Sequence, residues 1–248
     1  MTGADGDSNN VDSLGQTGQG CVDVAECRLP VEPFDWAIAR YGELIDAHWQ
    51  RCRADTPGLF NGETYLLRDL RIEAGRLSAS MFRTDFKSLL YWRRLGSPLP
   101  AREAFGAALL RSAEGHVLLG RQGPGQLHSG LVYPPSGVLC DADVNGAGEI
   151  DIDASAAREL HEETGLEPSA LQRMPGYRIA ITGAEVAIAI EWRSALPAVE
   201  LRQRILDFIA REEAPELDDV VIVTSIDAID AEEMPAHARL LLQSVLSA

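Results

Sequence analysis

Ser155-Ala156-Ala157-Arg158-Glu159-Leu160-His161-Glu162-Glu163-Thr164-Gly165-Leu166 decides how this chain is read. As a helix it turns Ala154, Ala157 and Leu160 toward a core. It stops at Gly165, the residue type that most readily takes a left-handed C-terminal turn. Asp153 is the expected N-cap, its carboxylate accepting from the free N–H groups of the first turn. Glu159, Glu162 and Glu163 stand at i, i+3 and i+4, so their carboxylates share one face. Each like-charge pair at that spacing destabilises an isolated helix by roughly 0.2–0.5 kcal/mol. The C-terminal half is also the wrong end of the helix dipole for anions. Positive charge must compensate. Arg158 neutralises one carboxylate, and a hard divalent cation taking oxygen ligands accounts for the rest. The competing reading, a solvated acidic face, explains the charges but not the residues that flank them.

Those flanking residues carry a resemblance. Arg158 to Leu166, read as Arg-Glu-Leu-x-Glu-Glu-x-Gly-Leu, resembles the second half of the Nudix box and meets every fixed position of it. Upstream, Tyr133-Pro134-Pro135-Ser136-Gly137 is similar to the strand end and Pro-Gly-Gly turn that open the family's loop, with Ser136 in place of a glycine. Gly137 then matches the opening glycine of the box and Gly148-Glu149 the later Gly-Glu. Eleven residues separate Gly137 from Glu149 and eight separate Glu149 from Arg158, where the family has five and seven. The extra stretch, Asp141–Gly148, is rich in Asp, Asn and Gly and reads as a longer surface loop. It leaves open whether Glu149 touches a metal or stands behind the ligands.

The resemblance implies an α+β Nudix fold, a mixed sheet between helices, and metal-dependent hydrolysis of a diphosphate. It implies Glu159, Glu162 and Glu163 as ligands of Mg²⁺, or of Mn²⁺, with the Ser136 carbonyl as a further ligand. Arg158 would orient Glu159 by a charge-assisted hydrogen bond. A general base would come from a later loop, with Glu185, Glu212, Glu213 and Glu216 as candidates. Diphosphate hydrolysis needs charge neutralised on phosphate oxygens and a water held in line, with little covalent work for the protein. A small carboxylate cluster holding Mg²⁺ meets that need.

The rest of the chain frames this site. With 248 residues it holds one large domain plus an extension. A formal charge of −16 argues against nucleic acid and anionic membranes as partners. The acidic, polar N-terminus lacks the pattern of a signal peptide, and no apolar run approaches the ~18–20 residues needed to span a bilayer. Cys21, Cys27, Cys52 and Cys140 are scattered without a C-x-x-C pair, as expected for reduced thiols in a cytoplasmic protein.

Three segments are expected: a disordered tail over residues 1–31, an extension over 32–100 and a catalytic domain over 101–248. In the extension, Ala37 to Ala54 has helical periodicity, Thr64–Glu73 and Arg76–Arg83 pair as strands across Ala74-Gly75, and Asp85–Leu95 forms a second helix. Ser97-Pro98-Leu99-Pro100 reads as a linker. Phe105–Arg111 and His116–Arg121 then form a hairpin, followed by strands at Leu131–Tyr133, Arg178–Thr182, Val186–Trp192 and Val220–Val223. Val199–Arg211 and Ala236–Leu246 are amphipathic helices. Arg51, Arg53, Arg93 and Arg94 are the extension's cations within reach of a diphosphate.

Trp49-Gln-Arg51 and Pro57-Gly-Leu59-Phe60-Asn61-Gly62-Glu63-Thr-Tyr65 resemble the branch of Nudix enzymes that cleave UDP-glucose and UDP-galactose to UMP and a sugar 1-phosphate. ADP-ribose, NAD(H), coenzyme A and nucleoside triphosphates are alternative substrates. A Nudix-fold binding module without catalysis is the alternative from another class.

Overall fold

A computed structural model describes residues 18–228 and 233–246. Its centre is strand β11 (Glu185–Arg193), whose interior residues are all buried. A run buried throughout and apolar but for Glu191 suits a strand covered on both faces. β11 pairs in parallel with β5 (Glu103–Arg111) and antiparallel with β10 (Tyr177–Thr182). The large sheet runs β1 (Gln19–Val24), β10, β11, β5, β6 (Val117–Gln122), β12 (Leu217–Val223). Short strands β7 (Val132–Tyr133), β8 (Ser136–Val138) and β9 (Gln172–Arg173) attach to β6, β5 and β11. The mixed sheet and its helices make the α+β fold expected from the sequence.

The strand alternation sorts side chains between two layers. Val186, Ile188, Ile190 and Trp192 pack with helices α3 (Ile152–Thr164) and α4 (Ala198–Ile209). On the other face, Ala107, Ala180, Ala187 and Ala189 form a shallow floor for Leu241, Leu242 and Val245 of α5 (Ala236–Leu246). Small residues there let the helix approach the sheet closely, while the large ones fill the opposite layer.

In the extension, helix α1 (Gly42–Asp55) and helix α2 (Phe86–Arg94) pack on one face of a smaller sheet ordered β2 (Glu26–Arg28), β4 (Arg76–Asp85), β3 (Glu63–Glu73). The β3–β4 turn places Ala74 and Gly75 at φ 48° and 72°, the left-handed pair that a tight hairpin requires. Asp85 caps α2 through the Ser88 amide at 2.9 Å. Leu67 and Arg102 exchange backbone hydrogen bonds of 2.8 and 2.7 Å. Leu67, Leu77 and Met81 also share a core with Ala104 and Ala108, so packing runs across the expected boundary at residue 100.

Several expectations need correction. The tail expected to be disordered over residues 1–31 contains β1, paired with β10 from Gln19 to Val24, and β2, paired with β4; residues 1–17 lie outside the described part. Sheet-edge pairing outweighs the weak local signal of a polar segment. The first helix starts at Gly42, because Ala37–Arg40 is a separate 3₁₀ turn. The N-cap of α3 is Asp151, which accepts from the Ala154 amide at 3.0 Å. Asp153 lies two residues on, in the first turn, and accepts instead from Arg173 Nε at 2.8 Å and the Tyr177 hydroxyl at 2.6 Å. The core face of α3 is also rotated: Ile152, Ala156 and Leu160 are buried while Ala154 is exposed.

Candidate active site

Helix α3 lies unusually close to β5. A Cβ added at Gly106 would sit 3.1 Å from the Ala156 nitrogen and 3.2 Å from its Cβ, so a glycine permits the approach. The helix ends as its sequence requires, with Gly165 left-handed at φ 67° and its N–H on the His161 carbonyl. This seating carries the glutamates along β8. Gly137 passes so near Glu159 that a methyl group there would overlap the carboxylate. The Ser136 amide donates to Glu163 Oε1 at 2.9 Å. The contact seen at Ser136 is therefore through its N–H, where the sequence pointed to its carbonyl.

Burial divides the three glutamates. Glu159 and Glu163 are 7% and 4% exposed, whereas Glu162 faces solvent. Arg158 joins two of them, donating from Nη1 to Glu159 at 2.6 Å and to Glu162 at 3.1 Å. Its Nη2 lies 3.2 Å from both oxygens of Asp143, a residue only 2% exposed. Asp143 in turn accepts from the Cys140 amide at 2.9 Å, which fixes its place in the loop.

Asp143 is the residue that the sequence reading missed. Nothing in an Asp-rich loop separates it from Asp141; only its burial beneath Arg158 does. Glu149, by contrast, pairs with Arg28 at 3.2 Å and belongs to the loop's outer edge.

The electrostatics follow from burial. Desolvation pushes the Glu159 carboxyl up to about 7, with Arg158 opposing the rise and Glu162 adding to it. Burial raises the Glu163 carboxyl well above its ordinary value, opposed by the Ser136 amide and more weakly by the Gln122 side chain and reinforced by the charges of Glu159 and Glu216. Arg158 loses hydration too, yet Glu159 and Asp143 hold it protonated.

Of the four candidate bases, Glu216 is the one whose charge acts on Glu159 and Glu163; its own carboxyl is raised, first by desolvation and then by Glu162. Glu185 instead faces His237 Nδ1 at 3.2 Å. Glu212, Glu213 and Glu216 are all exposed, so only the reach of its charge sets Glu216 apart. Arg93, one of the extension's cations, is committed to a buried fork on Glu103.

The donor set bears on a metal. Glu163 Oε2 is buried with no hydrogen-bond partner among the described residues, an oxygen short of a cation. The chemistry, hard carboxylate oxygens beside a fixed arginine, fits Mg²⁺ or Mn²⁺. Among the described residues, however, no three acidic, His or Cys side chains already converge as a complete chelating set. Glu162, held outward by Arg158, would have to turn inward to complete one.

Comparison with known proteins places this geometry. The NUDIX domain family model matches residues 100–242, more than half of the chain. Fold and box helix together define a hydrolase acting on pyrophosphate bonds. The chain belongs to the Nudix family.

Similar solved structures include a Nudix hydrolase from M. smegmatis, RenU, at 17% identity and TM-score 0.37, with 59% of this chain and 84% of that one covered. DR0079 from Deinococcus radiodurans is 16% identical, with TM-score 0.41 and coverage of 73% and 98%. A bifunctional NMN adenylyltransferase/ADP ribose pyrophosphatase from Francisella tularensis, complexed with AMP and Mn ion, is 15% identical, with TM-score 0.39 and coverage of 64% and 46%. No curated protein sequence matches the chain. Among the described residues no helix is long and apolar enough to cross a membrane.

Proposed function

We propose that this protein is a Mg²⁺-dependent diphosphatase acting on a nucleoside diphosphate linked to a second group, most specifically a nucleotide sugar such as UDP-glucose or UDP-galactose, with UMP and a sugar 1-phosphate as products. The observation that carries the reaction is the pairing on α3 of a buried, unpartnered Glu163 oxygen with an Arg158 anchored to Asp143. The substrate assignment rests on the sequence resemblance of the Trp49 to Tyr65 region.

Glu159, Glu162 and Glu163 would hold the cation, which when bound neutralises charge on the phosphate oxygens and makes a bound water more acidic. The chain's own part is positioning. Arg158 keeps Glu159 from swinging into solvent, and the Ser136 amide fixes one oxygen of Glu163 so that the other faces the site. Glu216 is the candidate we favour for taking a proton from the attacking water, because its charge acts on both Glu159 and Glu163 and its own carboxyl is raised by desolvation and by Glu162.

The second reading, a binding module without turnover, is favoured by one observation, the outward set of Glu162 against Arg158. A panel of UDP-glucose, UDP-galactose, ADP-ribose, NADH, coenzyme A and nucleoside triphosphates separates the two, with Mg²⁺ and then Mn²⁺ present. UMP release from the UDP-sugars, abolished in Glu162→Gln, is the expected result. Turnover of another member alone would discard the sugar-nucleotide assignment. Binding without any product would select the module.

A further inference from the structure

The sheet face covered by α5 continues past the C-terminal end of that helix, and there it becomes charged. Arg178 on β10, Glu191 and Arg193 on β11 and Arg111 on β5 keep the alternation that puts Ala180, Ala189 and Leu109 under α5. Glu191 is only 8% exposed. Arg193 Nε donates to its Oε1 at 2.6 Å, Arg111 Nη1 stands 3.7 Å from the same oxygen, and Arg178 Nη2 lies 3.8 Å from Oε2. Arg178 and Arg193 border a cavity of about 190 Å³, lined also by their carboxylate partners Asp23 and Glu191 and by the apolar Val24, Met174 and Pro175.

A single buried carboxylate needs one guanidinium to neutralise it. Three converge here, in a chain whose formal charge is −16. Asp23 takes up only part of the excess, through Arg178 at 3.3 Å. Hydrogen-bonding capacity is left over: the terminal nitrogens of Arg193 make no hydrogen bond among the described residues, and its side chain is 47% exposed. Arginine forks held by a buried acid beside an open cavity match the oxygens of a phosphate group, which accept in pairs from planar guanidinium donors.

The place is also distinct from the box glutamates. Tyr177 at the cavity bonds Asp153 at the start of α3, at 2.6 Å. Glu163 comes ten residues later, about 15 Å along a helix that rises 1.5 Å per residue.

We propose that Arg178 and Arg193, organised around Glu191 with Arg111 adding charge from the Gly115 side, form a second binding site for a small phosphate-bearing anion. Calorimetric titration of the full chain with inorganic phosphate tests it, in EDTA and with ionic strength held constant by sodium chloride. Saturable binding is expected in the unaltered protein and in Glu162→Gln. Affinity should weaken about tenfold or more in Arg193→Gln, the scale of one lost charge-assisted hydrogen bond. Arg178→Gln should weaken it likewise and decides the matter if Arg193→Gln does not fold. Unchanged affinity in these variants, loss of binding in Glu162→Gln, or heat no greater than a chloride control would each overturn the site.

Discussion

The Ser136 amide donates to Glu163 Oε1 at 2.9 Å, and the other oxygen of that carboxylate is left buried without a partner. One half of the side chain is therefore fixed by the backbone of β8 while the other half is uncompensated. A charged group in that condition is costly to a protein that has no cation to offer it. Glu163→Gln should remove the cost and the function together. We expect the rate to fall by about 10²-fold or more. In EDTA the variant should melt at or above the temperature of the unaltered protein, as expected when a poorly compensated buried charge is replaced by a neutral isostere. Paired rate and melting measurements check both arms; a large loss of metal-free stability would mean the carboxylate is already satisfied.

Asp143 makes the opposite case. It is buried, and Arg158 Nη2 and the Cys140 amide satisfy it from two sides. Asp143→Ala should strand Arg158 and loosen Glu159 at once. Breaking a fully buried pair costs about 3–5 kcal/mol. With Arg158 29% exposed, a loss on the order of 2 kcal/mol is more realistic. Urea unfolding measures that loss, and kcat should fall with KM little changed because the residue acts through Arg158.

These two residues show how far the sequence could be read. Helix α3, its Gly165 stop and the Glu159–Glu162–Glu163 spacing are local features, and local features survive folding. The central strands were legible for the same reason: an apolar run such as Val186–Ile190 has few other ways to be buried. Asp143 was hidden because its role depends on a partner fifteen positions away, across a loop that reads as solvent-exposed. The strand at Gln19–Val24 was hidden because its edge pairing with β10 is specified by the sheet rather than by its own composition. The division among four candidate bases was equally invisible. Only the fold shows that Glu185 is taken by His237 while Glu216 stands near the box.

The metal-free protein should respond to pH through Glu159. Its folded carboxyl titrates near 7, above the ordinary 4.5. Between those values the folded state binds a proton that the unfolded state releases. Its contribution is thus fully present below pH 4.5 and is lost as pH rises through 7. The lost stability is on the order of 3 kcal/mol. Glu159→Gln has no such proton to lose, so in EDTA the stability difference between variant and unaltered protein should widen in the variant's favour from pH 5 to pH 8. Mg²⁺ should reverse the trend, since cation binding displaces the proton and strengthens as pH rises. A difference that stays flat across this range would place the Glu159 titration elsewhere.

Glu216 and Glu185 give a discriminating pair for the proposed base. Glu216→Gln should lower kcat by about 10²–10⁴-fold, the usual contribution of a positioned acid or base. It should also flatten the acidic limb of the pH–rate profile. Glu185→Gln, which disturbs only contacts with His237 and the Thr182 hydroxyl, should keep most of the rate. Equal losses in the two variants, with no change in either profile, would remove Glu216 from the role.

Gly137 tests the geometry without touching a charge. No ligand is altered by Gly137→Ala, but the new methyl group would occupy the space of the Glu159 carboxylate. Two responses are open to the chain. If β8 yields, the cost appears as stability, typically about 1–3 kcal/mol for overpacking. If the side chain yields, Glu159 leaves Arg158 and the cost appears in metal affinity. Glu159 ends in a flexible carboxylate, whereas β8 is held to β5 from Val138 to Ser136. The side chain should therefore move first. A titration with Mg²⁺ should show weakened binding in a variant that melts within a few degrees of the unaltered protein. Unchanged metal affinity together with a large drop in melting temperature would show that the backbone gave way, and that Glu159 is held in place more firmly than Gly137.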